Sequence, residues 1–406
     1  MAFRRAESLA PVSQYQGIAT WLNHFRLPAF FSCFVDRKAP MSKQFVLKAD
    51  APAQQFALKF AAPKELPYVD KPLGSNISAL AIAGRTLFCA ADETSTVERL
   101  IYDPAKKEFQ SHANFPLGNA FALPGGPTGE MDIEGLAVSG GFLWITGSHS
   151  LKRDSPDEID PKVADLDDID WDPNRGFLGC VPLDDHGDGL YEPVAAIDPV
   201  RGGDARKAAM MKMGRNGRQN VRRLLGSDPL LKPFMNVPCK ENGFDIEGLA
   251  VTGNRVLLGL RGPVVGTYAM IVEMQLKVSK KGWLKPAKLA DGTRYRLHAV
   301  DLAGLGIRDL LVVDDDLLIL AGPTQDIEGI QRVFSVPLGD LSGVIPRTAI
   351  QVVRTLELLD GHDHAEGIAV FEADGKKLLL VSHDSPAPAR YSEARNRLLL
   401  DAFAFK

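Results

Sequence analysis

The sequence predicts an all-β chain folded as a β-propeller of four-stranded blades, five preferred and six allowed. Three observations carry that expectation. A seven-residue phrase recurs: residues 132–138 and 245–251 both read DIEGLAV, and residues 364–370 read HAEGIAV. Two looser copies keep the same frame, NISALAI at 76–82 and GIRDLLV at 306–312. Each copy is followed, after a short turn, by a second apolar run ending in small or polar residues. Repeated units of short strands, none able to bury its apolar face alone, stack around an axis.

Counted at their third residue, the copies stand at 78, 134, 247, 308 and 366, giving intervals of 56, 113, 61 and 58. Three intervals lie near sixty, and the long one hides an insertion or an unrecognised repeat. Within each unit the phrase supplies the first strand. The second strands read TLFCAADET (86–94), FLWITGSHS (142–150), RVLLGLRGP (255–263), DLLILAGPT (316–324) and KLLLVSHDS (377–385). Third strands follow as VERLIYD (97–103), AMIVEMQLKV (269–278) and QRVFSVPL (331–338), with a fourth in TAIQVVRTLEL (348–358). The last unit offers three strands, ending in RLLLDAFAF (397–405). An early run, QFVLKAD (44–50) or FALKF (56–60), is expected to complete it and close the ring.

Composition agrees with this plan. The 406 residues are 45% hydrophobic and 24% charged, as in a globular protein with a sizeable core. The 37 glycines and 27 prolines supply the turns between many short strands. A net charge of -4 provides no global field for nucleic acid or an anionic membrane. The best apolar run, 27–35, is too short to span a bilayer. Cys33, Cys89, Cys180 and Cys239 lie far apart with no CxxC pair, which suits free thiols in a reducing compartment. A cytoplasmic monomer is therefore expected.

Residues 1–43 read unlike the rest, as a disordered extension or a mis-assigned start, because Met41 opens MSKQFVLKAD like an ordinary beginning. Residues 44–406 read as one domain carrying a large, partly helical insertion at 151–240. Its first arm holds nine acids over 154–172, and its second holds eight bases over 201–223. These arms are expected to lie against each other or against solvent. A helix is predicted over 204–213, with Asp204 as its cap and Gly214 ending it. The spacing of Asp168, Asp170 and Asp172 is no calcium loop, because Pro173 stands where a glycine is needed and Gly179 where a glutamate is needed.

Propeller geometry places the candidate chemistry. If the phrase is the innermost strand, its start opens on one mouth of the central channel, and the antiparallel second strand ends at that mouth. Asp132, Glu134, Asp245, Glu247, Arg308, His364 and Glu366 should then meet Asp92, His149, Arg261, His383 and Asp384. From this set Glu134, Glu247 and Glu366 are the candidate ligands of one divalent cation, because three carboxylates at one pore mouth repel unless neutralised. His149, His383 and Asp384 are the candidate catalytic groups. Arg261, Arg308 and His364 are the candidate contacts to an anionic small molecule. No nucleotide-binding glycine loop, GxSxG elbow or HExxH helix occurs, so no nucleotide cofactor is expected.

The phrases DIEGLAV and HAEGIAV, each followed by a strand and a polar turn, resemble those of a bacterial family whose domain has no assigned function. That family is similar to the phytase-like, esterase-like group of propellers, over roughly residues 70–405. The resemblance implies the propeller fold, acidic groups near the channel that hold calcium, and basic ones that meet phosphate. Glu134, Glu247 and Glu366 match the motif's acid, whereas Ser78 and Arg308 depart from it. Two functions are thus expected as alternatives. One is a metal-assisted hydrolase of phosphoesters or carboxylic esters; the other is a non-catalytic propeller binding a small anion or a protein at the same face.

Overall fold

A computed structural model describes residues 48–405 except 67–68, 70, 155–161, 200–204, 326 and 360–362. The chain divides into two units, Met1–Leu47 and Lys48–Lys406. The first, with the expected extension and Cys33, lies outside the described residues.

The second unit is an all-β propeller. Its ladders resolve into five meanders of four strands, labelled a to d from the axis outward. Blade 1 comprises Ile77–Ala83, Thr86–Ala91, Thr96–Asp103 and Glu108–Pro116. Blade 2 comprises Ile133–Ser139, Phe142–Gly147, Leu178–Asp185 and Tyr191–Pro193. Blade 3 comprises Asp245–Thr252, Arg255–Gly262, Tyr268–Val278 and Arg296–Asp301. Blade 4 comprises Gly306–Val313, Asp316–Gly322, Gln331–Pro337 and Gln351–Leu356. Blade 5 takes His364–Ala373, Lys376–Asp384 and Arg397–Ala404, and its strand d is the early segment Gln54–Lys59. The a strands touch in cyclic order, blade 1 to blade 5 and back to blade 1. The early strand completes blade 5, and its outer edge pairs in parallel with Glu108 and Phe109 of blade 1 strand d. Of the two candidates, FALKF supplies it.

The phrase itself explains the ring. Its apolar second and fifth residues, such as Ile133 and Leu136 or Ile246 and Leu249, are buried between blades. Its glycine marks a close approach: a Cβ on Gly135 would sit 2.6 Å from Leu249 of the next blade, and one on Gly248 2.8 Å from Leu310. Blade 4 carries Asp309 at that position, and its carboxylate accepts the Ile368 N–H of blade 5 at 2.8 Å. Mouth loops are stitched by backbone bonds, with Asp132 N–H donating to Asp92 O, Ser148 N–H to Asp132 O and Ile246 N–H to Ser148 O.

The insertion differs from expectation in two ways and agrees in a third. Strands c and d of blade 2 lie inside 151–240, so the long interval is partly blade. No helix forms over the described part of 204–213. Arg206–Lys207 pairs with Ala196–Ile197, and Ala209–Met210 pairs with blade 2 strand c, because sheet edges there offer ladder partners that outweigh local propensity. The one α-helix among the described residues is Val221–Leu225, capped by the Asn220 side chain. Finally, the described residues of the two charged arms meet through an aromatic ring. Trp171 donates its indole N–H to Asn216 O at 2.6 Å, while Arg218 and Arg222 sit 4.9 and 5.2 Å from its ring centre. No helix among the described residues is long and apolar enough to cross a membrane.

Candidate functional site

In every blade the ladder between strands a and b slips at the third residue of the phrase, leaving it unpaired: Ser78, Glu134, Glu247, Arg308 and Glu366. A β-bulge sets two residues against one and re-aims a side chain. All five line one cavity of about 470 Å³ at the channel mouth. Of the other expected groups, Asp92, Asp132, Asp245, Arg261, His364 and Asp384 line it as well.

His149 and His383 do not, and strand geometry gives the reason. His383 pairs with Ala365 and Asp384 with His364, so alternation turns Asp384 to the cavity and His383 away from it. His149 lies beyond the end of strand b at φ 55°, with Nε2 donating to Phe177 O at 3.0 Å. Both rings are fully buried, which lowers the His149 pKa to about 3, with Arg222 adding to the effect, and the His383 pKa to about 4, with Arg390 contributing. Neither ring lines the cavity where a general base was expected. Arg261 reaches the cavity because blade 3 has a second slip: Asp245 faces Gly262 and Ile246 faces Leu260, leaving Arg261 bulged between them.

The cavity has two unlike halves. Across blades 3, 4 and 5, opposite charges alternate through Asp245, Arg261, Glu247, Arg308 and Glu366. Arg261 Nε lies 3.5 Å from Asp245, and its Nη1 donates to Glu247. Arg308 Nη1 donates to Glu366 and lies 3.4 Å from Glu247. Each guanidinium also donates to backbone, Arg261 Nε to Thr324 O at 3.1 Å and Arg308 Nη2 to Pro323 O at 2.9 Å. All five are buried. Burial raises the Glu247 and Glu366 pKa values, with the arginines pulling the other way. Asp245 is brought to about 7, chiefly by burial against the pull of Arg261.

Across blades 5, 1 and 2 the carboxyls Asp384, Asp92, Asp132 and Glu134 face fewer cations. Arg175, which sequence reasoning missed, lies 3.0 Å from Asp132 and also holds Glu130 and Ser150. Glu134 has no ion pair among the described residues. Burial, then Asp132, Asp92 and Glu247, push its carboxyl well above the usual range. Asp92 is raised in the same way by burial and by Asp384. The insertion forms this wall: Lys152 and Arg153 at its start, Arg175 in its middle, and Cys239, Lys240 and Glu241 at its end all line the cavity. No repeat places them, so only the structure reveals them. Cys239, whose thiol burial raises to about 11, is an inert lining group.

The three glutamates do not fit the calcium site that the resemblance implied. Glu247 and Glu366 are already the acceptors of two guanidinium groups, and no three His, Cys, Asp or Glu among the described residues converge enough to hold a metal ion. Across the whole lining, eleven Asp and Glu stand against six Lys and Arg.

A comparison with curated proteins finds no match. Among solved structures the chain is similar to the glutaminyl cyclase of Myxococcus xanthus, at 9% identity and TM-score 0.37 over 87% of this chain and 97% of that one. It is also similar to the Malassezia sympodialis allergen Mala s 1, at 10% and 0.38 over 86% and 95%. The PQQ-bound aldose sugar dehydrogenase of Streptomyces coelicolor gives 13% and 0.32 over 87% and 100%. A family model matches residues 76–401, the span that holds every repeat and the cavity they line, and the chain belongs to that family, described as protein of unknown function (DUF3616).

Proposed function

We propose that the channel mouth is the site of a hydrolase acting on a small polar ester without net negative charge, with carboxyl groups as its acid and base. The observation that carries this reading is that five equivalent bulge positions deliver Ser, Glu, Glu, Arg and Glu into one cavity. A scaffold that repeats its backbone while varying the side chain at one position builds a specific site there.

Glu134, kept protonated by burial and neighbouring carboxylates, is the proton donor. Asp132, salt-bridged to Arg175 at 3.0 Å, is the acceptor. A water oxygen bonds to the ester carbonyl carbon as its proton passes to Asp132. The bond to the alkoxy oxygen breaks, and that oxygen takes the Glu134 proton. One water is consumed, an acid and an alcohol leave, and the proton returns from Asp132 to Glu134. A carboxylic ester suits this site better than a phosphoester, since an anion would meet a carboxyl majority and two arginines already engaged.

The test is pH-stat turnover of glycerol triacetate (neutral) and acetylcholine (cationic), with phosphate release from glycerol phosphate as the anionic arm. Turnover confined to the first two, lowered ~10²–10⁴-fold in Glu134→Gln, is expected from loss of a general acid. Absence of turnover in every arm by folded protein rejects catalysis and leaves the binding-only alternative.

A further inference from the structure

We propose that Arg308 is the cavity's resident cation, a side chain filling the role that a bound divalent ion would take between Glu247 and Glu366. The repeat carries this role for Arg308 whether or not the mouth is catalytic. Three blades present a glutamate at the bulge, and blade 4 presents an arginine at the same backbone position. Its guanidinium therefore enters the ring of bulge side chains from the place where a fourth carboxylate would stand. There it donates to Glu366 of blade 5 and lies 3.4 Å from Glu247 of blade 3, so one cation spans three blades. Its other edge is held by Pro323 O at 2.9 Å, which fixes the plane of the group. Arg308 is 5% exposed, Glu247 1% and Glu366 6%, so water contributes little to neutralising this set.

Arg261 completes the arrangement. With Asp245 it extends the alternation to three carboxylates and two guanidiniums, and no acid in the row is without an arginine beside it. A calcium ion entering between Glu247 and Glu366 would have to take both acids from Arg308, whose other edge Pro323 O holds in the wall. A buried guanidinium beside the incoming cation would then be unpaired, and such a state is strongly disfavoured. An ammonium could not substitute for Arg308, since a single point charge cannot serve Glu247, Glu366 and the carbonyl with fixed geometry.

The test uses the full chain and Ca²⁺ alone, by calorimetric titration and thermal melting. Wild type is expected to bind no Ca²⁺ up to ~1 mM, the weak end of calcium sites, and to melt at the same temperature with or without it. Arg308→Gln is expected to melt lower, to regain stability on addition of guanidinium chloride at low millimolar concentration, and to acquire Ca²⁺ binding that raises its melting temperature. Arg308→Lys, which keeps a charge, should melt lower yet remain blind to Ca²⁺. Stoichiometric Ca²⁺ binding by wild type that disappears in Glu247→Gln would overturn the proposal, and this arm needs no arginine variant to fold. A folded Arg308→Gln that responds to neither Ca²⁺ nor guanidinium would overturn it as well.

Discussion

The two halves of the channel mouth are built on the same backbone and differ in what neutralises them. On the blades 3 to 5 side, Glu247 and Glu366 are each bonded to an arginine, and the group is buried. On the blades 5, 1 and 2 side, Glu134 occupies the equivalent bulge with no ion pair among the described residues, its carboxyl raised by burial and then by neighbouring carboxyls. The same residue type at the same position is thus a strut in one half and a proton reservoir in the other. Charge pairing separates the roles, since a paired buried acid is costly to disturb and an unpaired one is free to exchange its proton.

Substitution separates these roles most sharply. Glu247→Gln leaves Arg261 and Arg308 short of a carboxylate and is expected to cost about 3–5 kcal/mol of unfolding free energy, read by urea denaturation. Glu134→Gln removes an acid that burial, and then the neighbouring carboxyls, hold above its usual range, and should leave stability unchanged or slightly higher in the same assay. A Glu134→Gln loss as large as that of Glu247→Gln would erase the distinction between the halves.

Next in size is a pH effect. Asp245 titrates near 7 in the folded chain against an ordinary value of 3.8. Its proton is held more tightly when folded, so its contribution is fully present below about pH 4 and is lost as pH rises through about 7. The slope is at most about 1.4 kcal/mol per pH unit. Wild type minus Asp245→Asn, unfolded in urea at pH 5.5 and 7.5, should show the wild type losing stability toward pH 7.5 relative to the variant. His149 and His383, depressed by burial, act in the opposite sense below pH 6.5, but they are common to both proteins and cancel in the difference. Smallest is the rim: Arg153 pairs with Glu241 across the insertion's two ends in an exposed setting, and Arg153→Ala should leave the melting temperature unchanged.

Much of this was legible in the sequence because repeats report geometry. DIEGLAV disclosed the innermost strand, and its period disclosed the ring. The start of the phrase put Asp132 and Asp245 at the mouth, and antiparallel pairing then brought Asp92 and Asp384 beside them. His149 was misplaced because strand b ends at Gly147, and His383 because the sequence does not show where a strand slips. One residue of register decides whether His383 or Asp384 faces the channel, and a second bulge carries Arg261 inward. Arg175 was invisible for another reason, since it lies in an insertion with no counterpart in the other blades. The helix expected near 204–213 failed where exposed edges of blade 2 and of Ala196–Ile197 recruited the segment as strand.

The central claim is that the half of the mouth around Glu134 does the chemistry. Its most direct test is the turnover of glycerol triacetate and acetylcholine by wild type and Glu134→Gln, with melting curves recorded on the same samples. A rate lowered ~10²-fold or more at an unchanged melting temperature is the predicted result. Equal rates in the two proteins would contradict it.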